Sequence, residues 1–170
     1  MPSGVTAGIA AAVIAAVTGT LATPPSPRLV WNVSASAPVG LYVVSPGQAV
    51  APGDMVVART PLPIRRFAAV RRYLPQNVPL VKRVVAVSGQ EVCALSAFVY
   101  VDGRPVAIRR PADGNGRQMP WWRGCVRLAG GAVLLLMERS DSFDGRYFGP
   151  TSSADLVGRA RLIWATRPGV

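Results

Sequence analysis

The chain has 170 residues, enough for one domain with a sizeable core, and half of them are apolar, which excludes bulk disorder. Its net charge is +11, yet the basic residues are scattered, densest at Arg65, Arg66, Arg71 and Arg72. A solvated surface near anionic lipid fits that scatter better than specific nucleic-acid binding, so no nucleic-acid partner is expected. Histidine is absent, which excludes a Ser-His-Asp triad, a Cys-His dyad and histidine-containing metal sites; neither a metal nor a cofactor is expected.

Residues 4–22, GVTAGIAAAVIAAVTGTLA, carry no charge and end at the helix-breaking TPPSP. Nineteen helical residues span about 28 Å, roughly one hydrocarbon thickness. A single membrane anchor is the preferred reading; a cleavable signal peptide ending near TLA and a buried helix are the alternatives. The basic flank that sets orientation is missing, and Trp31 would follow near the interface.

After the prolines the chain reads mostly as strands. GLYVVSP (40–46) and DMVVART (54–60) are short β-branched runs. LPIRRFAAVRRYL (62–74) has the spacing of an amphipathic helix. VPLVKRVVAV (78–87) is a strand stopped by Ser88 and Gly89; its alternation puts Lys82 on a face with Leu80, Val84 and Ala86. FVYVDGRPVAI (98–108) is a hairpin turning at Asp102-Gly103. ADGNGRQMPWWRG (112–124) is a turn-rich excursion whose Trp121 and Trp122 either pack on the core or dip into a membrane surface. AVLLLME (132–138) is a buried strand, and LVGRARLIWAT (156–166) closes the domain. The predicted organisation is an anchor and proline-rich connector over 1–27, then one β-rich domain over 28–170.

Lys82 is the one lysine among 19 basic residues, and it lies in the most apolar strand. Arginine keeps its proton at neutral pH, whereas a desolvated lysine can lose it. Lys82 is therefore the best general-base candidate. A serine hydroxyl needs such a base before it becomes a useful nucleophile. For that role the lysine pKa must fall from about 10.4 to about 7–8. NVSASAPVGLY (32–42) offers two hydroxyls, Ser34 and Ser36. Ser36 as nucleophile can present its own N–H to an oxyanion, with the Ser34 hydroxyl as a second donor. SDSFDGRYFGP (140–150) gathers Ser142, Asp144 and Arg146 in a turn-like segment. The two cysteines, Cys93 and Cys125, do not have zinc-site spacing; they are a disulfide outside the cytoplasm or two buried thiols within it.

NVSASAPVGLY, VKRVVAVSGQEV and SFDGRYFGP, in that order, resemble the serine–lysine signal peptidases, most closely the TraF-type peptidases of conjugative transfer systems. The resemblance implies Ser36 as nucleophile and Lys82 as general base. It places Asp144 in the catalytic set as an ordering carboxylate partnered by Arg146. Ser142 matches a serine that orients the lysine, and Ser34 one assigned to the oxyanion hole. It further implies a signal-peptidase-like, mainly β catalytic domain behind one transmembrane helix. That domain would lie on the periplasmic side of the bacterial cytoplasmic membrane, which favours a Cys93–Cys125 disulfide. The expected partners are membrane lipid, a conjugation or secretion apparatus, and an exported precursor with small residues at its cleavage site. A propilin fits that description, and some relatives also join the pilin's ends. The nucleophile box lacks the Ser-Met-x-Pro pattern of housekeeping signal peptidases, and MERSDS replaces their Gly-Asp-Asn stretch. A housekeeping-type signal peptidase, a LexA-like self-cleaving repressor and a non-enzymatic periplasmic assembly module are the competing readings.

Overall fold

The computed structural model describes residues 3–22 and 27–166. The expected proline-rich connector falls mostly on residues 23–26, outside that range. The charge-free run forms a helix, α1, over Ser3–Ala22. Every side chain from residue 4 to residue 18 is exposed, so the buried-helix alternative fails. Among the described residues no helix is long and apolar enough to cross a membrane. The expected transmembrane span is therefore not established by the fold. Alanine, glycine and threonine fill much of α1, and each contributes little transfer free energy.

Ten strands follow among the described residues: β1 (Leu29–Asn32), β2 (Gly40–Ser45), β3 (Met55–Ala58), β4 (Leu80–Ala86), β5 (Glu91–Leu95), β6 (Phe98–Val101), β7 (Arg104–Ile108), β8 (Gly124–Arg127), β9 (Leu134–Leu136) and β10 (Leu156–Ala165). Helix α2 spans Leu62–Val70, and a single turn, α3, spans Gly145–Phe148. The predicted β-rich architecture is thus present. The strands form one sheet ordered β1-β2-β10-β3-β4-β9 and a second ordered β7-β6-β5-β8. Every pairing is antiparallel.

The larger sheet carries the site. Two strands, β10 and β3, separate β2 from β4. Three strand spacings amount to roughly 14 Å in a flat sheet. The sheet does not stay flat, for β10 shifts register between Leu162 and Trp164 and again between Leu156 and Gly158. Such irregularities raise local twist and bend the strand. Tyr42 and Val44 of β2 then join Val57 of β3, Val81 of β4 and Ala160 of β10 in one buried cluster. Ala37, from the loop after β1, belongs to the same cluster. Burying these side chains draws that loop over the sheet, toward β4.

The smaller sheet begins with the predicted hairpin. Asp102 and Gly103 both have positive φ, 47° and 76°, as a two-residue turn between twisted strands demands. Strands β5 and β8 were not legible as strands; each is short, and Gly124–Arg127 is exposed throughout. Trp122 packs against the core cluster beneath this sheet and donates to the Gly145 carbonyl at 3.0 Å. Trp121 donates to the Arg110 carbonyl and stacks under the Arg109 guanidinium, 4.4 Å from ring centroid to Cζ. Trp122 thus packs on the core, whereas Trp121 lies at the surface against Arg109. Arg109, only 2% exposed, ties the excursion down through the carbonyls of Trp122 and Ser96.

Cys93 of β5 stands directly opposite Cys125 of β8, and the two are joined in a disulfide. The bridge closes a long loop, worth about 3–4 kcal/mol on the chain-entropy model. Non-reducing mass spectrometry of exported material should find the Cys93–Cys125 peptide pair, and replacing both residues by serine should lower the thermal midpoint markedly. Two free thiols, or an unchanged midpoint, would remove the bridge from the account of stability.

Candidate active site

Ser36 lies in the turn between β1 and β2, partly exposed. The turn is held by Asn32, which is 7% exposed. Its side-chain N–H groups contact the carbonyls of Ser34 at 3.0 Å, Ala37 at 3.2 Å and Pro38 at 3.0 Å. Its side-chain oxygen accepts from the Ser34 N–H at 3.1 Å. The Tyr42 hydroxyl donates to the Pro38 carbonyl at 2.8 Å, pinning the far side of the turn. Small residues at 34–37 let the backbone pack this tightly. The Ser34 hydroxyl sits 3.0 Å from Ser36 Oγ and accepts from the Ser36 N–H at 3.4 Å. Both donors assigned to an oxyanion hole are therefore beside the same hydroxyl.

Lys82 is in β4, its backbone paired with Val56 of β3. Its neighbours along that face, Leu80, Val84 and Ala86, are all buried, as the alternation predicts. Lys82 itself is 3% exposed. Its Nζ donates to Ser36 Oγ at 2.9 Å and to Ser142 Oγ at 2.8 Å. Burial holds its pKa down to about 8, against the pull of the Asp144 and Asp141 carboxylates and with some help from Arg146. Removing water penalises the charged amine more than these carboxylates restore it. A neutral amine has one lone pair and two N–H groups. It can donate one to Ser142 and turn its lone pair to the Ser36 O–H.

Ser142 and Asp144 come from the loop that joins β9 to α3. Asp144 caps α3, its Oδ1 accepting from the Arg146 N–H at 3.2 Å. The same oxygen accepts from Arg146 Nε at 2.8 Å. Its Oδ2 accepts from Arg146 Nη2 at 3.1 Å and from the Met137 N–H at 3.0 Å. Arg146 also donates to the Met137 carbonyl. The pair is buried, 0% exposed for Asp144 and 3% for Arg146. Asp144 makes no hydrogen bond or ion pair with Lys82 or Ser36 among the described residues. All its contacts are spent on fixing the loop, in the company of Arg146, and only its charge reaches the amine. Gly145 must be glycine here, because a Cβ would lie 2.8 Å from the Leu135 carbonyl oxygen and 2.9 Å from Leu134 Cδ1.

A groove of about 540 Å³ opens over Ser36 and Lys82. Residues 30–36 and 78–82 form two of its sides, and Tyr73, Met119, Phe143 and Tyr147 contribute a third. Phe143 packs on Tyr73 at 5.0 Å and on Tyr147 at 6.2 Å between ring centroids. Neither Asn32 nor the Tyr73 wall was legible from residue types. A lone asparagine reads as a loop residue, and Tyr73 reads as the end of a helix.

The structure thus brings Ser34, Ser36, Lys82 and Ser142 into contact, with Asp144 and Arg146 as a buried brace beside them. Residues 3–165 match the family described as signal peptidase, peptidase S26. The chain is 36% identical over 148 residues to a plasmid transfer protein TraF of Escherichia coli, covering 81% of this chain and 80% of that one. It is 35% identical over 147 residues to a probable conjugal transfer protein TraF of Sinorhizobium fredii (strain NBRC 101917 / NGR234), covering 81% and 77% respectively. A signal peptidase I crystal structure from Enterococcus faecalis V583 superposes with a TM-score of 0.39 at 16% identity, covering 66% of this chain and 97% of that one. The chain belongs to the peptidase S26 family of signal peptidases, in its TraF-type branch.

Proposed function

We propose that this protein is a serine endopeptidase whose nucleophile is Ser36 and whose general base is Lys82. The observation that carries the reading is the 2.9 Å contact between Lys82 Nζ and Ser36 Oγ, with the amine almost fully removed from water. Neutral Lys82 takes the proton as Ser36 Oγ attacks the scissile carbonyl carbon. The Ser36 N–H and the Ser34 hydroxyl receive the oxyanion. The Lys82 ammonium then protonates the departing amine, leaving an acyl-enzyme ester on Ser36. Water, deprotonated by Lys82, releases the carboxylic product. An amine of the same product attacking in place of water would close it into a ring by the same chemistry. Ser142 keeps the amine aimed through each proton transfer. A non-enzymatic module would have no use for its single lysine in this setting.

The substrate we infer is an exported precursor with small residues at its cleavage site, a propilin of a conjugative system. The TraF relatives supply the conjugation context. The groove supplies the fit: β1 is an edge strand, and an extended chain can pair with its free backbone groups. Helix α1, charge-free and exposed, would hold the catalytic domain at the outer face of the cytoplasmic membrane. Under that placement the full chain should stay with membranes after an alkaline wash, while a chain beginning at residue 28 should be released. Release of both would leave α1 without that role.

Ser36→Ala and Lys82→Arg should each reduce precursor processing by at least about a thousandfold, measured as precursor and product after co-expression with a candidate propilin. Arginine cannot serve as base, so retained processing by Lys82→Arg would remove the lysine from the mechanism. The active form requires the neutral amine, and the Lys82 pKa is depressed to about 8. Activity should therefore rise as pH climbs through about 8 and level off about one unit above. A flat profile from pH 6 to 9 would contradict a lysine base.

A further inference from the structure

Helix α2 ends in a residue its backbone does not favour. The Tyr73 N–H donates to the Ala68 carbonyl at 2.9 Å, and the Arg72 N–H to the Ala69 carbonyl at 3.0 Å. This crossed pair is a Schellman ending, whose first residue past the helix cap is usually glycine. Arg72 occupies that position at φ 58°. The other non-glycine residues with positive φ among those described, Ser96 and Asp102, sit in tight hairpin turns. Arg72 is exposed and makes no side-chain hydrogen bond or ion pair among the described residues, so its guanidinium adds nothing within the chain to the backbone bonds that close the helix.

Its neighbours are differently occupied. The Arg71 guanidinium lies 4.3 Å over the Phe67 ring and donates to the Gln118 carbonyl. Arg117 is paired with Asp113 at 2.7 Å. The Tyr73 hydroxyl and the Asn115 N–H also donate to Asp113, which leaves that carboxylate saturated. The three arginines rim a hollow of about 400 Å³. Tyr73, Asp113 and Gly114 line both this hollow and the groove over Ser36. The groove and this positively charged recess therefore share a wall.

We propose that Arg72, with Arg71 beside it, is a specificity-determining residue that receives an acidic side chain of the precursor lying in the groove. The inference rests on the peptidase reading of that groove. The guanidinium explains why a strained position carries arginine, and the shared walls explain why a polypeptide reaches it. A lipid surface would need no continuity with the groove.

The test uses the full chain carrying Ser36→Ala, in neutral detergent, and two labelled peptides with small central residues. The peptides differ only in having glutamate or glutamine at their outer positions. The glutamate peptide should bind about fivefold tighter at low salt, the effect of one exposed ion pair at its upper range. Arg72→Gly should bring that ratio near one without lowering the thermal midpoint, because glycine suits the backbone there. Arg72→Gln, which keeps the bulk and removes the charge, should do the same to the ratio. Equal binding of the two peptides, or a preference that survives both substitutions, would overturn the proposal. So would a loss of binding to phosphatidylglycerol vesicles with the peptide ratio intact, which would make the recess a lipid contact. Binding is scored on an inert chain, so it stands apart from whether Ser36 cleaves; cleavage of the same peptides by the unsubstituted chain reports on the peptidase reading.

Discussion

An amine stripped of water and hydrogen-bonded to two serine hydroxyls is the interaction on which this molecule depends. Lys82 is 3% exposed, with Ser36 Oγ at 2.9 Å and Ser142 Oγ at 2.8 Å. A charged ammonium in that setting is costly, and the proton is therefore loosely held. Everything that loosens the lysine's hold on its proton is supplied by packing. The strand interior removes the water, and the bent sheet brings the β1–β2 turn within reach. The two hydroxyls satisfy the nitrogen without giving it a compensating charge. A carboxylate in direct contact would have raised its affinity for the proton and defeated the arrangement.

The carboxylates that are present are kept in check. Asp144 is matched by Arg146 inside the same loop, so a buried negative charge is answered within hydrogen-bond distance. Asp141, nearer the surface, is matched by Arg139 at 2.7 Å. Each carboxylate still pulls the Lys82 pKa upward, but neither outweighs burial. The buried pair is better understood as a brace than as a source of stability. Desolvation offsets much of the Coulomb attraction in such pairs, and loss of either partner strands a charge. What the brace secures is the position of Ser142, two residues before Asp144, and through it the direction of the amine.

Much of this was readable from residue types. Alternation located β4 and β10, β-branched runs located β2 and β3, a continuous apolar run located β9, and the Asp102-Gly103 pair located the hairpin. The isolation of Lys82 in an apolar strand, together with the absence of histidine, made it the candidate base. Resemblance then joined it to Ser36. Other features stayed hidden for physical reasons. Strands β5 and β8 are short, and β8 is exposed, so no alternation marks it. Helix α2 stops at Val70, although its apolar spacing runs on toward Leu74, because the chain turns left-handed at Arg72. The pairing of Asp144 with Arg146 was legible as a brace for the turn. Asn32 was invisible because its work is done on carbonyl groups, which every residue has.

That asparagine sets a limit on how the enzyme can drift. Its carboxamide meets three acceptors and one donor of a single loop, and the two halves of the group cannot exchange duties. Aspartate would turn an oxygen toward three oxygens, and leucine would leave the Ala37 carbonyl and the Ser34 N–H without their partner. Position 32 is therefore chemically closed to either replacement.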